Sequence, residues 1–142
     1  MGSTVATQPN RGFCIGLGIF QTLIGLSAVA GGLGLTLDPS GESLGMPLEM
    51  LQRSPFVTFL IPGLFLLLVN GIGTLIGATL SFRRHPLAGA LAALLGAIMM
   101  AWIVLQVMWI GYGSWLQALY VVVGLVELGL GLLLRQRIRG AT

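Results

Sequence analysis

The sequence predicts an all-α integral membrane bundle of four transmembrane helices, and three observations point that way. Hydrophobic residues make up 56% of the chain and charged residues only 8%, with a mean hydropathy of +0.97, whereas roughly a quarter of the residues in a soluble domain are charged. The apolar residues fall into four long runs with polar breaks between them, and a helix needs roughly 20 such residues to cross a bilayer. The basic residues flank those runs almost entirely at one end, as topology signals do. The 142 residues admit one domain, and four spans use most of it.

Residues 1–11 are small and polar apart from Arg11 and are expected to form a disordered cytoplasmic N terminus. The first span follows over residues 12–37. Arg11, an apolar stretch and Ala28-Val29-Ala30 mimic a secretory signal with its cleavage site. The apolar run continues through Gly31-Gly32-Leu33-Gly34-Leu35, however, which is longer than such a signal requires.

Asp38-Pro39-Ser40-Gly41-Glu42 breaks the helix and opens the longest loop, which holds every acidic residue except Glu127. Within it, Pro47 to Arg53 is expected to form a short extracytoplasmic amphipathic segment at the membrane interface, with Leu48 and Leu51 on its apolar side. Ser54 before Pro55 has the form of an N-cap hydroxyl ahead of a first-turn proline, so the second span is placed at residues 56–82. Pro62 falls inside that span, where it deprives the Thr58 carbonyl of its helical partner and predicts a kink.

Arg83-Arg84-His85-Pro86 is a tight polar connection, and the third span covers residues 87–110. Gly111-Tyr112-Gly113 makes a short turn. Ser114-Trp115-Leu116-Gln117 then has the S-x-x-Q form of a capping box, so the fourth span covers residues 115–134. Residues 135–142, with Arg135, Arg137 and Arg139, form a basic cytoplasmic tail. The single four-helix domain is thus residues 12–134.

Arg11, Arg83, Arg84, Arg135, Arg137 and Arg139 share one side, against Arg53 with Asp38, Glu42 and Glu49 on the other. The positive-inside rule therefore puts both termini in the cytoplasm. Trp109, Tyr112, Trp115 and Tyr120 gather at the opposite end, as an interfacial aromatic belt would. The tail and the Arg83-Arg84 turn are suited to anionic lipid headgroups at about 1 kcal/mol per arginine. Nothing resembles the basic stripe with interleaved aromatics of a nucleic-acid surface.

Lipid gives helices no hydrophobic reason to associate, so close packing must come from small residues. Gly73-Thr74-Leu75-Ile76-Gly77 is a G-x-x-x-G motif in the second span. Ala28 with Gly32, Ser27 with Gly31, and Gly89 with Ala93 offer small ridges in the first and third. The third span is small on nearly every side and is expected to be central or to contact another subunit. The third and fourth spans must form a hairpin, while the long first loop leaves the first two freer.

Glu127 is the one ionisable residue inside a span, about eight residues or roughly 12 Å from Arg135 at 1.5 Å per residue. A charge at that depth costs on the order of 2.5–3.5 kcal/mol, so such a residue faces protein or a cavity. Counting from the flanking arginines puts Gln21 and Asn70 at a comparable depth. One intramembrane polar layer is therefore expected, in which Glu127 donates to the side-chain carbonyl of Asn70 or Gln21 and Thr22 or Thr74 adds a hydroxyl. Such a layer serves either as glue between helices, at about 0.6 kcal/mol per bond, or as a relay.

Other chemistry finds no footing. Cys14 is the only cysteine, which excludes an intramolecular disulfide and a cysteine-based zinc site, and no acidic or histidine neighbour activates it. His85 reads as a solvated loop residue, Met99, Met100 and Met108 as packing, and Gln106 as a group placed to bond across the hairpin. No paired carboxylates, metal-ligand spacing, phosphate loop or nucleophile arrangement is present, so no enzyme, metal or cofactor is expected.

Three stretches together resemble a known group: Ser54-Pro55-Phe56-Val57-Thr58-Phe59-Leu60-Ile61-Pro62-Gly63-Leu64; the Arg83-Arg84-His85-Pro86 turn; and Trp102-Ile103-Val104-Leu105-Gln106-Val107 followed by Ser114-Trp115-Leu116-Gln117. They are similar to small bacterial four-span membrane proteins of uncharacterised role, over most of the chain from about Leu44 onward. The resemblance implies the four-span fold and a bacterial inner membrane, and implies no activity. Small multidrug exporters are a poorer match, since their acidic residue lies in the first span, where this chain has Gln21. Two functions remain in view: a non-enzymatic structural or accessory component that packs with itself or with a larger complex, and a small oligomeric proton-coupled transporter or channel-like protein built around Glu127.

Overall fold

A computed structural model of the chain describes residues 11–112 and 115–140. Among them the regular structure is all helical, and four helices are long and apolar enough to cross a membrane: α1 (Arg11–Leu37), α2 (Leu60–Phe82), α3 (Ala88–Ile110) and α4 (Trp115–Gly140). The protein is thus a multi-pass helical bundle. Arg11, expected to end a disordered segment 1–11, is instead the first residue of α1; the rest of that segment, the Ser114 hydroxyl of the capping box and residues 141–142 lie outside the described residues. Of the capping box, Gln117 is described: its Nε2 reaches back across the turn to the Gly111 carbonyl at 3.3 Å.

Two helix boundaries differ from expectation. Ser54 does not cap α2, because its hydroxyl closes a local turn instead: Oγ donates to the Leu51 carbonyl at 2.8 Å and accepts from the Phe56 amide at 3.2 Å. The chain stays irregular to Phe59, whose amide is drawn back to the Pro39 carbonyl at 2.9 Å, and α2 begins at Leu60. Pro62 is then a first-turn residue, where the missing N–H has no helical partner to lose, so it disturbs nothing. The irregularity in α2 falls instead over Leu66–Gly73, which winds as a π-helix, a form often found at functional sites. At the other end of the chain, α4 runs through the three tail arginines. No breaker interrupts it, and cations are favoured near a helix C terminus. Arg137 lies 5.1 Å above the Phe13 ring, tying the end of α4 to the start of α1.

The Arg83–Pro86 connection closes α2 with a left-handed residue, Arg84 at φ 52°. The His85 amide reaches the Leu80 carbonyl at 2.9 Å and the Arg84 amide the Ser81 carbonyl at 3.0 Å, the paired closure of a helix C terminus. His85 is exposed, and its Nδ1 accepts the Leu87 amide at 3.1 Å, so it helps start α3.

The helices form two antiparallel hairpins, α1–α2 and α3–α4. The expectation that α1 and α2 would be loosely associated fails: they pack along their whole length. Gly18, Gly25 and Gly32 recur every seven residues on the buried face of α1, alternating with Gln21, Ala28 and Leu35. That 3.5-residue spacing keeps one stripe turned to its partner throughout. A Cβ at Gly18 would lie 2.8 Å from the Phe82 ring, one at Gly25 2.7 Å from Leu75, and one at Gly32 2.6 Å from the Leu67 amide nitrogen.

The α3–α4 hairpin packs as closely at the end bearing the termini. A Cβ at Gly89 would lie 2.6 Å from the Arg135 amide nitrogen, and one at Gly96 2.5 Å from that of Leu128. Cys14, Leu17, Ala88, Ala92 and Leu134 form the core there, drawn from three helices. Towards the loop end large residues, among them Trp102, Trp109 and Tyr120, line a cavity. Across that end the 38–59 loop folds into a cover. Asp38 anchors it, its carboxylate accepting the Ser40 hydroxyl at 2.5 Å and the Ser43 amide at 2.8 Å, bonds that hold its pKa below the ordinary value. Gly41, at φ 77°, turns the chain where a side chain would strike the Met46 carbonyl and the Phe59 ring. Two short 3-10 turns follow, Glu42–Leu44 and Leu48–Leu51. Only one face of the second is apolar and covered: Leu51 is buried with Leu35 and Phe59, while Leu48 is exposed.

Candidate functional site

Five polar side chains are buried in the described structure: Gln21, Asn70, Thr74, Ser81 and Glu127. They come from three helices, because each of these helices turns a narrow seam inward. On α4 the seam is Gly124, Glu127, Gly131 and Leu134, the only buried positions of that helix after Trp115 whose side chains are described. Glycines on either side of Glu127 bring α4 against α3, with Gly131 touching the Ala93 backbone and Gly124 near Met100. The carboxyl of Glu127 crosses that seam and meets α1.

There the order of hydrogen bonds differs from the one expected. Gln21 Nε2 donates to Glu127 Oε1 at 3.2 Å, and the Gln21 carbonyl accepts from Ser81 Oγ at 2.7 Å. Gln21 is therefore the centre of a chain Ser81–Gln21–Glu127 that joins α2, α1 and α4. Ser81 was not anticipated as a member, since two residues before Arg83 it reads as the start of the polar turn. Its burial and its place four residues after Gly77, a glycine of the expected packing motif, were the available signal. Gly77 has a second use that packing alone does not suggest: a Cβ there would lie 2.8 Å from Gln21 Nε2, so glycine is what gives the amide its room.

Asn70 does not join this chain. It is about seven residues before Gly77, or on the order of 10 Å along the axis at 1.5 Å per residue, and it belongs with Ala28 and Met99 in the lining of the cavity. Counting from flanking arginines erred because the helices enter the bundle at different heights. Thr74 lies between the two levels, and Thr22 is satisfied within its own helix, donating to the Gly18 carbonyl at 2.7 Å. Asn70 Oδ1, Thr74 Oγ1 and Glu127 Oε2 are buried with no hydrogen-bond partner in the protein.

Of the six expected packing residues, Gly32, Gly77, Gly89 and Ala93 stand at close helix contacts as described, and Ala28 is buried. Gly73 is only half-buried, with ordinary contact to Leu95 at 3.4 Å from an added Cβ. The G-x-x-x-G therefore acts at its second glycine alone. Arg83, Arg84, Arg135, Arg137 and Arg139 are all exposed at the end carrying the termini.

The cavity occupies about 500 Å³, within the range of ligand sites, roughly 300–1,000 Å³. All four helices and the covering loop contribute to it. Trp102 stacks on Phe65 with centroids 4.3 Å apart, and Trp109 meets Phe56 edge-on at 5.5 Å, fastening α3 to α2 and to the loop. The aromatic belt is thus divided: Tyr112 and Trp115 are exposed, while Trp109 and Tyr120 turn inward. Gln106 also faces the cavity, not the hairpin partner alone. No Asp, Glu, Arg or His lines it. Among the described residues no cluster of three metal-binding side chains occurs. No family model, curated protein or solved structure matches the chain.

Proposed function

We propose that the protein is a small non-enzymatic integral membrane component that packs with itself or with a larger membrane complex. The observation that supports this most is the closed Ser81–Gln21–Glu127 chain. The one intramembrane acid has no contact with solvent and is engaged by a neighbouring helix, as a group that holds helices together would be. The exposed face of α4, with Leu119, Val122, Leu125, Val126, Leu132 and Leu133, offers an apolar surface to lipid or to another subunit. The arrangement of arginines supports cytoplasmic termini and an extracytoplasmic 38–59 loop. The resemblance to bacterial four-span proteins supports the inner membrane, and the arginine tail supports contact with anionic lipid. Nucleic acid is no partner in this reading.

A second reading, a small oligomeric proton-coupled transporter or channel-like protein, is favoured by one observation. The unpaired oxygens of Asn70, Thr74 and Glu127 step from the cavity towards the carboxyl. Reconstitution separates the two. In proteoliposomes carrying an interior pH dye, the component reading expects the same low proton leak from wild type and Glu127→Gln, and a detergent-solubilised protein mass at least twice the 14.9 kDa of one chain in both, a bare monomer counting against it. Proton flux above the lipid background that Glu127→Gln abolishes would establish the transporter reading instead.

A further inference from the structure

The cavity at the loop end has no part in the hydrogen-bonded chain around Glu127, and its chemistry specifies an occupant. Its wall is mostly apolar and aromatic, and no carboxylate, arginine or histidine lines it. A charged guest would have to shed its hydration without a counter-charge, which a site of this kind cannot offset. Met46, Met50 and Met99 contribute to the wall, and unbranched thioether side chains adapt to irregular apolar shapes. At the floor is Asn70, 1% exposed, with its Oδ1 unpartnered. A buried amide oxygen left unpaired is destabilising, so the position is explained if a guest completes it. Asn70 sits in the π-helical stretch of α2, the one place in the four spans where the winding departs from α.

Access to the cavity from the side is also built in. Among the described residues α1 and α4 are the most sparsely packed neighbours in the bundle, meeting around Cys14, Leu17 and Leu134 and at the Gln21–Glu127 hydrogen bond, yet both line the cavity. A molecule dissolved in the bilayer would enter between α1 and α4, on the sparsely packed side of the bundle, without passing the loop.

We propose that this cavity binds an uncharged lipophile bearing a single hydrogen-bonding head, with Asn70 receiving the head and the apolar wall receiving the chain. A neutral glycerolipid and a free long-chain alcohol share that chemistry. The inference is independent of whether the bundle serves as a component or a transporter.

The test uses the full chain in detergent with Trp115→Phe, which removes an exposed tryptophan outside the cavity and leaves Trp102 and Trp109 as reporters within it. The probes are a bromine-terminated long-chain alcohol, the carboxylate of equal length and a brominated diacylglycerol, since bromine quenches tryptophan on contact. The expected result is saturable quenching by an uncharged probe, at least tenfold tighter than by the carboxylate. Preference for the alcohol or the diacylglycerol identifies the source. Asn70→Leu should weaken binding about fivefold, the equivalent of one neutral hydrogen bond, while its thermal stability equals or exceeds that of the parent. Ile103→Phe, which narrows the cavity without touching the polar groups, should also reduce binding and serves if Asn70→Leu does not fold. Quenching that rises linearly with probe and never saturates, equal quenching by the carboxylate, or unchanged binding in a folded Asn70→Leu or Ile103→Phe protein would overturn the proposal.

Discussion

Gln21 holds its place by being able to donate and accept at once. Its amide gives a hydrogen bond to Glu127 and its carbonyl takes one from Ser81, so three helices depend on one side chain with no exposed surface. Gln21→Leu keeps the volume and removes both functions, leaving a buried carboxyl without its donor and a hydroxyl without its acceptor. A buried polar group left unsatisfied costs about 1–3 kcal/mol; Gln21→Leu strands two such groups, whereas Ser81→Ala strands only the Gln21 carbonyl. Thermal unfolding in detergent should therefore rank Gln21→Leu well below Ser81→Ala. Replacing Glu127 by Leu in the Gln21→Leu background should recover much of the loss, because the orphaned carboxyl is then gone. No recovery would mean that the bond itself, and not the stranded acid, set the cost. The chain was only partly legible beforehand. Gln21 and Glu127 stand out as polar letters in apolar runs, but which atom donates to which depends on Ser81, a residue too near the Arg83 turn to look buried.

At the scale of the helix, glycine has two different meanings. Gly96 faces α4 so closely that a Cβ would lie 2.5 Å from the Leu128 amide nitrogen and 2.6 Å from the Gly124 carbonyl oxygen, while Gly129 has nothing within 4 Å. Gly96→Ala must push two backbones apart and is expected to destabilise by about 1–3 kcal/mol. Gly129→Ala meets open space and gains helix propensity, up to about 1 kcal/mol. Opposite signs in the same unfolding assay would distinguish packing glycines from incidental ones, and equal effects would contradict the assignment of the α3–α4 seam. The distinction is hard to draw from composition, since the 22 glycines are identical as letters. The seven-residue recurrence of Gly18, Gly25 and Gly32 was nonetheless visible in the sequence and is a better guide than the G-x-x-x-G, of which only Gly77 is at a close contact. Proline misled for a related reason: Pro62 matters only if residues 56–59 are helical, and the pull of Pro39 on Phe59 decides that they are not.

At the scale of the whole molecule, the bundle is tightly packed at one end and holds a loop-covered cavity at the other. The tightly packed end carries the exposed arginines and the cavity end the acidic loop, so the asymmetry of charge coincides with the asymmetry of packing. The orientation it suggests is testable with single cysteines in a Cys14→Ser background. A membrane-impermeant maleimide should label Leu48→Cys in intact cells and reach Gln136→Cys only after lysis, both positions being exposed. The reverse pattern would invert the topology argued from the arginines.

By itself the sequence determined that the chain has four helices long and apolar enough to cross a membrane, where three of the four begin to within a residue, and which polar residues are too costly to face lipid. Each of those follows from transfer of side chains along one helix between water and hydrocarbon, a quantity that adds up locally. Tertiary structure alone decided that Gln21 and Ser81 complete Glu127 while Asn70 stands apart. It also decided that all four helices and the loop together line a cavity of about 500 Å³. Those depend on the relative height of four helices and on how nearly two backbones approach, and both are set by side chains distant in sequence.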